Sequence, residues 1–242
     1  MSRPRFTAAG TRFASLRYGM LIQVKATQVS PTITQLTQYR FVNAYLVRED
    51  DGLTLVDTTM GKAADAIVAA AGGTPIRRIA LTHGHGDHVG ALDALVGRLG
   101  PEVEVSMPEL DAQIHAGEHE KTSGSWPELR TTPGRRLIEG DRVGSLEVVA
   151  APGHTPGHVA FLDTRDRTLL AGDVFTSYGR TEVTDHFYWR FPFAAMATWH
   201  RATDRESARK LRGLDPSLLL VGHGPAVRAP AAAMDAALAR KR

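Results

Sequence analysis

The chain of 242 residues contains no cysteine. Disulfides, thiolate metal ligands and a cysteine nucleophile are therefore excluded, although this absence says nothing about compartment. Long apolar runs are missing as well. None approaches the roughly 18 residues of a membrane span, so no membrane association is expected. The opening Met1-Ser2-Arg3-Pro4-Arg5-Phe6-Thr7 has no apolar core of the secretory type, and a cytoplasmic location is expected. No linker rich in Pro, Gly or Ser divides the chain, and no low-complexity tract interrupts it. One domain over residues 20–242 follows, preceded by an irregular basic segment at 1–19. Acidic side chains are absent before Glu49, whereas Arg3, Arg5, Arg12, Arg17, Lys25, Arg40 and Arg48 all precede it. Such an arm could touch nucleic acid or a membrane surface, or serve as an organelle transit peptide. A solvated terminal segment is the simpler account.

What is present is ordinary for a globular protein: 43% hydrophobic and 23% charged residues, with a net charge of +3. A chain this long can bury a sizeable core. β-Branched and aromatic residues predict strands at Met20–Val24, Tyr39–Val47 and Leu53–Asp57. An Ala-rich pattern from Lys62 to Ala71, stopped by Gly72-Gly73, predicts a helix. Ile76–Leu81 reads as a strand, and apolar residues at helical spacing run from Val89 to about Leu99. A short strand at Val103–Val105, a helix opened by Pro108 and a loop over 119–134 come next. The second half gives strands at Leu146–Ala150, Val159–Asp163, Thr168–Ala171 and Leu218–Val221. Residues 174–193 read as irregular and aromatic. Helices are expected from about Ala194 to Gly213 and from about Pro230 to Arg240. Strands and helices mixed in both halves argue an α/β protein with helix-covered sheets.

One stretch organises the rest. Thr82-His83-Gly84-His85-Gly86-Asp87-His88 places three histidines and an aspartate on a turn between a strand end and a helix start. Gly84 and Gly86 are expected to allow that turn through backbone angles closed to other residues. Imidazole nitrogens and carboxylate oxygens are ligands for zinc and related divalent ions. Surface histidines without a metal would explain one His, but not three with an Asp at this spacing.

His-x-His-x-Asp-His after a strand resembles the signature of the metallo-β-lactamase-fold hydrolases. Further pieces resemble the same family and occur in order: Pro152-Gly153-His154-Thr155-Pro156-Gly157-His158, then Gly172-Asp173, then Gly222-His223. The resemblance implies a four-layer αββα sandwich, with the site along one edge where strand ends meet. It implies that His83, His85 and His154 hold one metal, that Asp87, His88 and His223 hold a second, and that Asp173 bridges them. Two ions about 3.5–4 Å apart would share a water and lower its pKa, and the resulting hydroxide would be the nucleophile. Asp87 would orient that hydroxide and help move a proton to the leaving group. Zinc suits an all-His/Asp site, and iron or manganese accepts the same ligands.

Asp57 ends a strand beside the site and is expected to orient a ligand, although Thr59 stands where the family has its first glycine. His158 is expected to be a buried hydrogen-bonding residue. His115, His119 and His200 are expected at exposed helical positions. Two loops could shape a pocket, the first through Trp126. The second offers Tyr178, Arg180, His186, Phe187, Tyr188, Trp189, Arg190, Phe191 and Phe193, which could equally pack the loop or bury a homodimer contact. Asp173 argues against a true β-lactamase. The short stretch after His223 weakens a glutathione-thioester hydrolase, and Thr176 in the place of a Tyr leaves a lactonase open but not indicated. A single-iron sulfur dioxygenase also remains open.

The expected function is a dinuclear metal-dependent hydrolase acting on a small ester, thioester or lactone. A phosphodiesterase or nuclease of the same fold is the first alternative, with nucleic acid as a partner not indicated. A degenerate metal-binding module is the second, and the intact set of seven ligands speaks against it.

Overall fold

The computed structural model describes residues 24–240. The basic segment expected at 1–19, nearly all of the strand expected at Met20–Val24, and Lys241-Arg242 lie outside the described residues. Four early segments pair as an antiparallel meander: β1 (Val24–Gln28), β2 (Ile33–Gln38), β3 (Val42–Glu49) and β4 (Gly52–Val56). β5 (Ile76–Ala80), β6 (Glu104–Pro108) and β7 (Arg135–Leu137) extend the sheet in parallel. Parallel neighbours need long crossovers. Here these are α1 (Ala64–Ala70), then α2 (Gly86–Val89) with α3 (Leu92–Leu99), then α4 (Glu109–His115).

A second sheet begins with β8 (Arg142–Val143), β9 (Leu146–Ala150), β10 (Val159–Asp163) and β11 (Thr168–Leu170). A two-stranded ribbon, β12 (Phe175–Thr176) with β13 (Glu182–Val183), and helices α5 (Phe193–Ala197) and α6 (Arg201–Gly213) follow. β14 (Leu218–Leu220) then pairs parallel to β11, and β15 (Val227–Arg228) pairs antiparallel to β14 before α7 (Ala231–Ala239).

Alternation along the strands explains the layering. Successive side chains point to opposite faces of a sheet. Ala44 and Leu46 of β3 join Leu55, Ile67, Ile79 and Leu92 in an apolar layer between the first sheet and its helices. Tyr45 and Val47, the intervening residues, face Phe161, Leu170 and Leu220 across the two sheets. On β14, Leu219 turns the other way and packs with Ala208, Leu211 and Met234 of α6 and α7. Three apolar layers separate four layers of structure: an αββα sandwich.

Some local expectations change. The strand read at Tyr39–Val47 starts at Val42, because Tyr39 and Arg40 take left-handed angles (φ 49° and 73°) in the turn from β2. The single helix expected from Ala194 to Gly213 is two, α5 and α6, parted at Thr198-Trp199-His200. The stretch 174–193 is not wholly irregular, since it carries β12 and β13.

Candidate metal centre

Parallel strands point their carboxyl ends the same way, so the loops that follow them gather at one rim of the sandwich. Asp57 follows β4, the His-rich turn follows β5, Asp173 follows β11 and His223 follows β14. His154 joins them from the loop after β9. An isolated bridge between Val42 and His223 fastens the second sheet to the first at this rim.

Three overlapping groups converge there: His83, His85 and His154; His83, His88 and Asp173; and Asp87, His88 and His223. Within each group the ligand atoms lie within 4.8 Å of one another. His223 Nε2 stands 3.1 Å from Asp173 Oδ2 and 3.3 Å from Asp87 Oδ2. His154 Nε2 lies 3.4 Å from Asp173 Oδ2, and His88 Nε2 lies 3.4 Å from Asp173 Oδ1. All are buried except Asp87, which is part-exposed.

Each imidazole is tied on its outer side. His88 Nδ1 donates to Asp57 Oδ2 at 2.8 Å, and His223 Nδ1 donates to the Phe41 carbonyl at 3.1 Å. His154 Nδ1 donates to Thr198 Oγ1 at 3.1 Å, and His85 Nε2 donates to the Ser123 carbonyl at 2.9 Å. His83 Nδ1 pairs with Thr82 Oγ1 at 3.0 Å. These bonds favour the tautomer that turns the other nitrogen inward, where His85 Nδ1 and His154 Nε2 stand 3.1 Å apart. His83 Nε2, His88 Nε2 and Asp173 Oδ1 are buried without a hydrogen-bond partner. Orphaned buried polar atoms are costly. Several aimed at one point fit a cation that the side chains are built to receive.

Charge follows the same logic. Burial alone would lower His88 and His223, but Asp173, Asp57 and Asp87 reverse this for His88 and raise it well above the ordinary histidine value. Asp173 and Asp87 likewise raise His223 to about 9. Burial would raise Asp87, yet His88 and His223 hold it well below the usual carboxylate range. His83 and His154, desolvated and beside other imidazoles, fall well below the ordinary value.

Residues 38–223 match the sequence model of the Metallo-beta-lactamase superfamily. The chain belongs to this superfamily. It is 38% identical to the uncharacterized protein YobT of Bacillus subtilis over 87% of this chain and 96% of that protein. It is 28% identical to the probable metallo-hydrolase YflN of the same organism, over 76% of this chain and 81% of that protein. A hydroxyacylglutathione hydrolase of Stenotrophomonas maltophilia is 32% identical over 61% of this chain and 51% of that protein. A metallo-beta-lactamase from Pontibacter korlensis shares the fold, with a TM-score of 0.71 at 20% identity, over 90% of this chain and all of that one. TTHA1623, solved in a di-iron-bound form, superposes with a TM-score of 0.63 at 27% identity, over 86% of this chain and 96% of that one. The chain is thus a metal-dependent hydrolase with a His/Asp site for divalent metal.

Around the superfamily site, Asp57 Oδ1 accepts from the Thr82 amide at 2.8 Å while its Oδ2 accepts from His88. Thr59 takes the left-handed angle (φ 59°) that a glycine would occupy without strain. His158 Nε2 accepts from the Asp173 amide at 3.0 Å, and burial pushes the ring down to about 3, so it is neutral. The expectation for Gly84 changes in its reason: neither Gly84 nor Gly86 has a positive φ. A Cβ on Gly84 would instead stand 2.5 Å from the Trp126 ring and 2.7 Å from His115 Nε2. His115 is not an exposed helix-end residue, because its Nε2 bonds the Gly84 carbonyl at 2.9 Å.

A cavity of about 570 Å³ opens over the ligands, lined by Phe41, Met60, Ser125, Pro127, Phe191, Phe193, Ala194 and Ala197 with His85, Asp87, His154, Asp173 and His223. Trp126 is buried behind His85, ring centroids 5.1 Å apart. Tyr178 packs on Phe191 at 5.5 Å. Arg180 pairs with Glu182 and lies over the Tyr188 ring, and Arg190 lies over the exposed Trp189. His186 bonds Asp185 at 2.7 Å.

Two residues that sequence reading passed over hold the loops. Asp111, fully buried on α4, accepts from the Gly84 amide (2.8 Å), the Thr155 hydroxyl (2.7 Å) and the Gly157 amide (2.8 Å). It staples the His-rich turn to the His154 loop. Thr198 sits in the break between α5 and α6, and its hydroxyl oxygen accepts a hydrogen bond from His154 Nδ1. No sequence signal marks either: the burial that makes Asp111 matter is visible only in the fold.

Proposed function

We propose that the chain is a dinuclear hydrolase of a small ester, thioester or lactone, carried by one domain over residues 20–242. The observation that carries this reading is the tethering of five imidazoles on their outer nitrogens around two carboxylates. His83, His85 and His154 would hold one ion, Asp87, His88 and His223 a second, with Asp173 between them. When bound, such a pair supplies a water of lowered pKa and a Lewis acid for the carbonyl oxygen. Zinc is the first expectation, and the di-iron form of TTHA1623 keeps iron in view.

The chain's own contribution is positional. Asp87 borders the cavity with a side chain 34% exposed, and the neighbouring imidazoles keep it ionised. It can accept a proton of the attacking water and pass it to the leaving group. Asp57 and Thr198 fix His88 and His154 against rotation. Phe41, Phe191 and Ala194 exclude bulk water from one side. Trp126 backs His85. Tyr178 and Tyr188 support the wall, and we assign His186, Arg180, Trp189 and Arg190 to the outer loop around it.

The test joins metal analysis to a panel of esters, thioesters, lactones and phosphodiesters. Two equivalents of metal per chain and turnover of a carboxylic ester class are expected, both lost in Asp173→Ala. Full turnover in that variant would overturn the assignment. A phosphodiesterase reading finds little support, because among the described residues no Lys or Arg lines the cavity.

A further inference from the structure

The cavity over the ligands has two unlike ends. Its inner end is made of the ligand side chains. Its outer end is apolar: Phe41, Met60, Pro127, Phe191, Phe193 and Ala197. Phe191 is 4% exposed and stands 4.8 Å from His223, 5.8 Å from Phe41 and 5.7 Å from Phe193, ring to ring. An unbroken apolar path therefore leads outward from a ligand imidazole. Further out, Phe193 is 65% exposed and Met60 39% exposed. Large apolar side chains left in water at the mouth of a cavity gain by being covered.

Charge narrows the occupant further. Among the described residues neither Lys nor Arg lines the cavity; its charged groups, the Asp87 and Asp173 carboxylates and the His223 imidazole, lie at the inner end, and the outer apolar residues carry none. The loop arginines are engaged elsewhere, Arg180 with Glu182 and Tyr188, Arg190 with Trp189. A substrate with a carboxylate or phosphate away from the reacting carbonyl would have to desolvate that anion against phenyl rings, without a counter-charge.

We propose that the substrate is an uncharged ester, thioester or lactone bearing an apolar acyl chain, seated on the wall formed by Phe41, Met60, Phe191 and Phe193. This rests on the hydrolase reading above. It separates that reading from anionic thioesters such as those of glutathione.

Two measurements test it on the metal-loaded full chain. The first compares thioesters of one acyl group on N-acetylcysteamine, which is neutral, and on glutathione, which is anionic, for acyl groups from acetyl to hexanoyl. kcat/KM should rise about fourfold per added methylene on the neutral carrier. The neutral carrier should also exceed glutathione at every length. Phe193→Ala should flatten the rise with chain length, mainly through KM. A flat series, or a preference for glutathione, overturns the proposal. The second measurement is calorimetric binding of two amides that resist hydrolysis, hexanoyl and succinyl. Tighter hexanoyl binding is expected. Binding of hexanoyl amide without turnover of any ester would sink the hydrolase reading and leave the acyl seat standing. Tighter succinyl binding would sink the seat whatever the activity.

Discussion

Asp111 shows how one buried carboxylate can govern a metal site it never touches. Its two oxygens accept three hydrogen bonds from two different ligand loops. An amide in its place presents an NH₂ to one of those donors, and an alanine leaves all three unpaired. Asp111→Asn should therefore weaken metal binding by about 10–100-fold, the usual range for groups that orient ligands. Competition with a chelating dye measures this, and an unchanged affinity would refute the staple. A second effect at this scale is pH-dependent. Burial would lower His223, but Asp173 and Asp87 raise it to about 9 in the metal-free fold, against 6.5 for a free histidine. A raised folded value means the ion pair stabilises fully below pH ~6.5 and is lost as pH rises through ~9. Chelator-treated protein should melt at falling temperatures across that window, and metal uptake near neutrality should release protons. A melting temperature that stays level from pH 6.5 to 9 would contradict the pairing.

At the scale of elements, what could be read ahead was whatever carries a period or a punctuation mark. The strand before the His-rich turn, the helix after it and the strands leading to His154, Asp173 and His223 all declare themselves by apolar runs of ordinary length. β2 does not, because its Ile33-Thr34-Gln35-Leu36-Thr37-Gln38 sequence mixes polar residues into both faces. Gln35 is nevertheless buried and bonds Asn43 and the Gly224 carbonyl. β8, β12, β13 and β15 span two residues each, too short for any period to register. The break between α5 and α6 is tertiary in origin. Thr198 leaves the helix to meet His154, and its hydroxyl also reaches the Thr184 and Ala194 carbonyls. Sequence alone shows a run of good helix formers and no stop. Thr198→Val keeps the shape and removes the acceptor. Metal affinity should fall about tenfold while the circular dichroism spectrum is retained; wild-type affinity would mean His154 needs no anchor there.

For the molecule as a whole, the ligands join what the layers would otherwise leave apart. His83, His85, Asp87 and His88 belong to the first sheet's side, and His154, Asp173 and His223 to the second. A cation held between them would tie both halves of the sandwich together, in addition to the apolar layer centred on Tyr45, Phe161 and Leu220. Without cations, the orphaned nitrogens of His83 and His88 remain buried beside the negative charge of Asp173. A ligand that binds only the folded state stabilises it by mass action, about 2.7 kcal/mol at a hundred times its dissociation constant. For a chain of this length each kcal/mol moves the melting temperature by roughly 2–4 °C. Loading with zinc at that excess should then raise the transition by about 5–10 °C over chelator-treated protein. Because the bridge spans both sheets, the whole transition should shift as one rather than split. Scanning calorimetry of the two forms decides the matter: equal melting temperatures would show that the histidines and aspartates at this rim hold no structural cation.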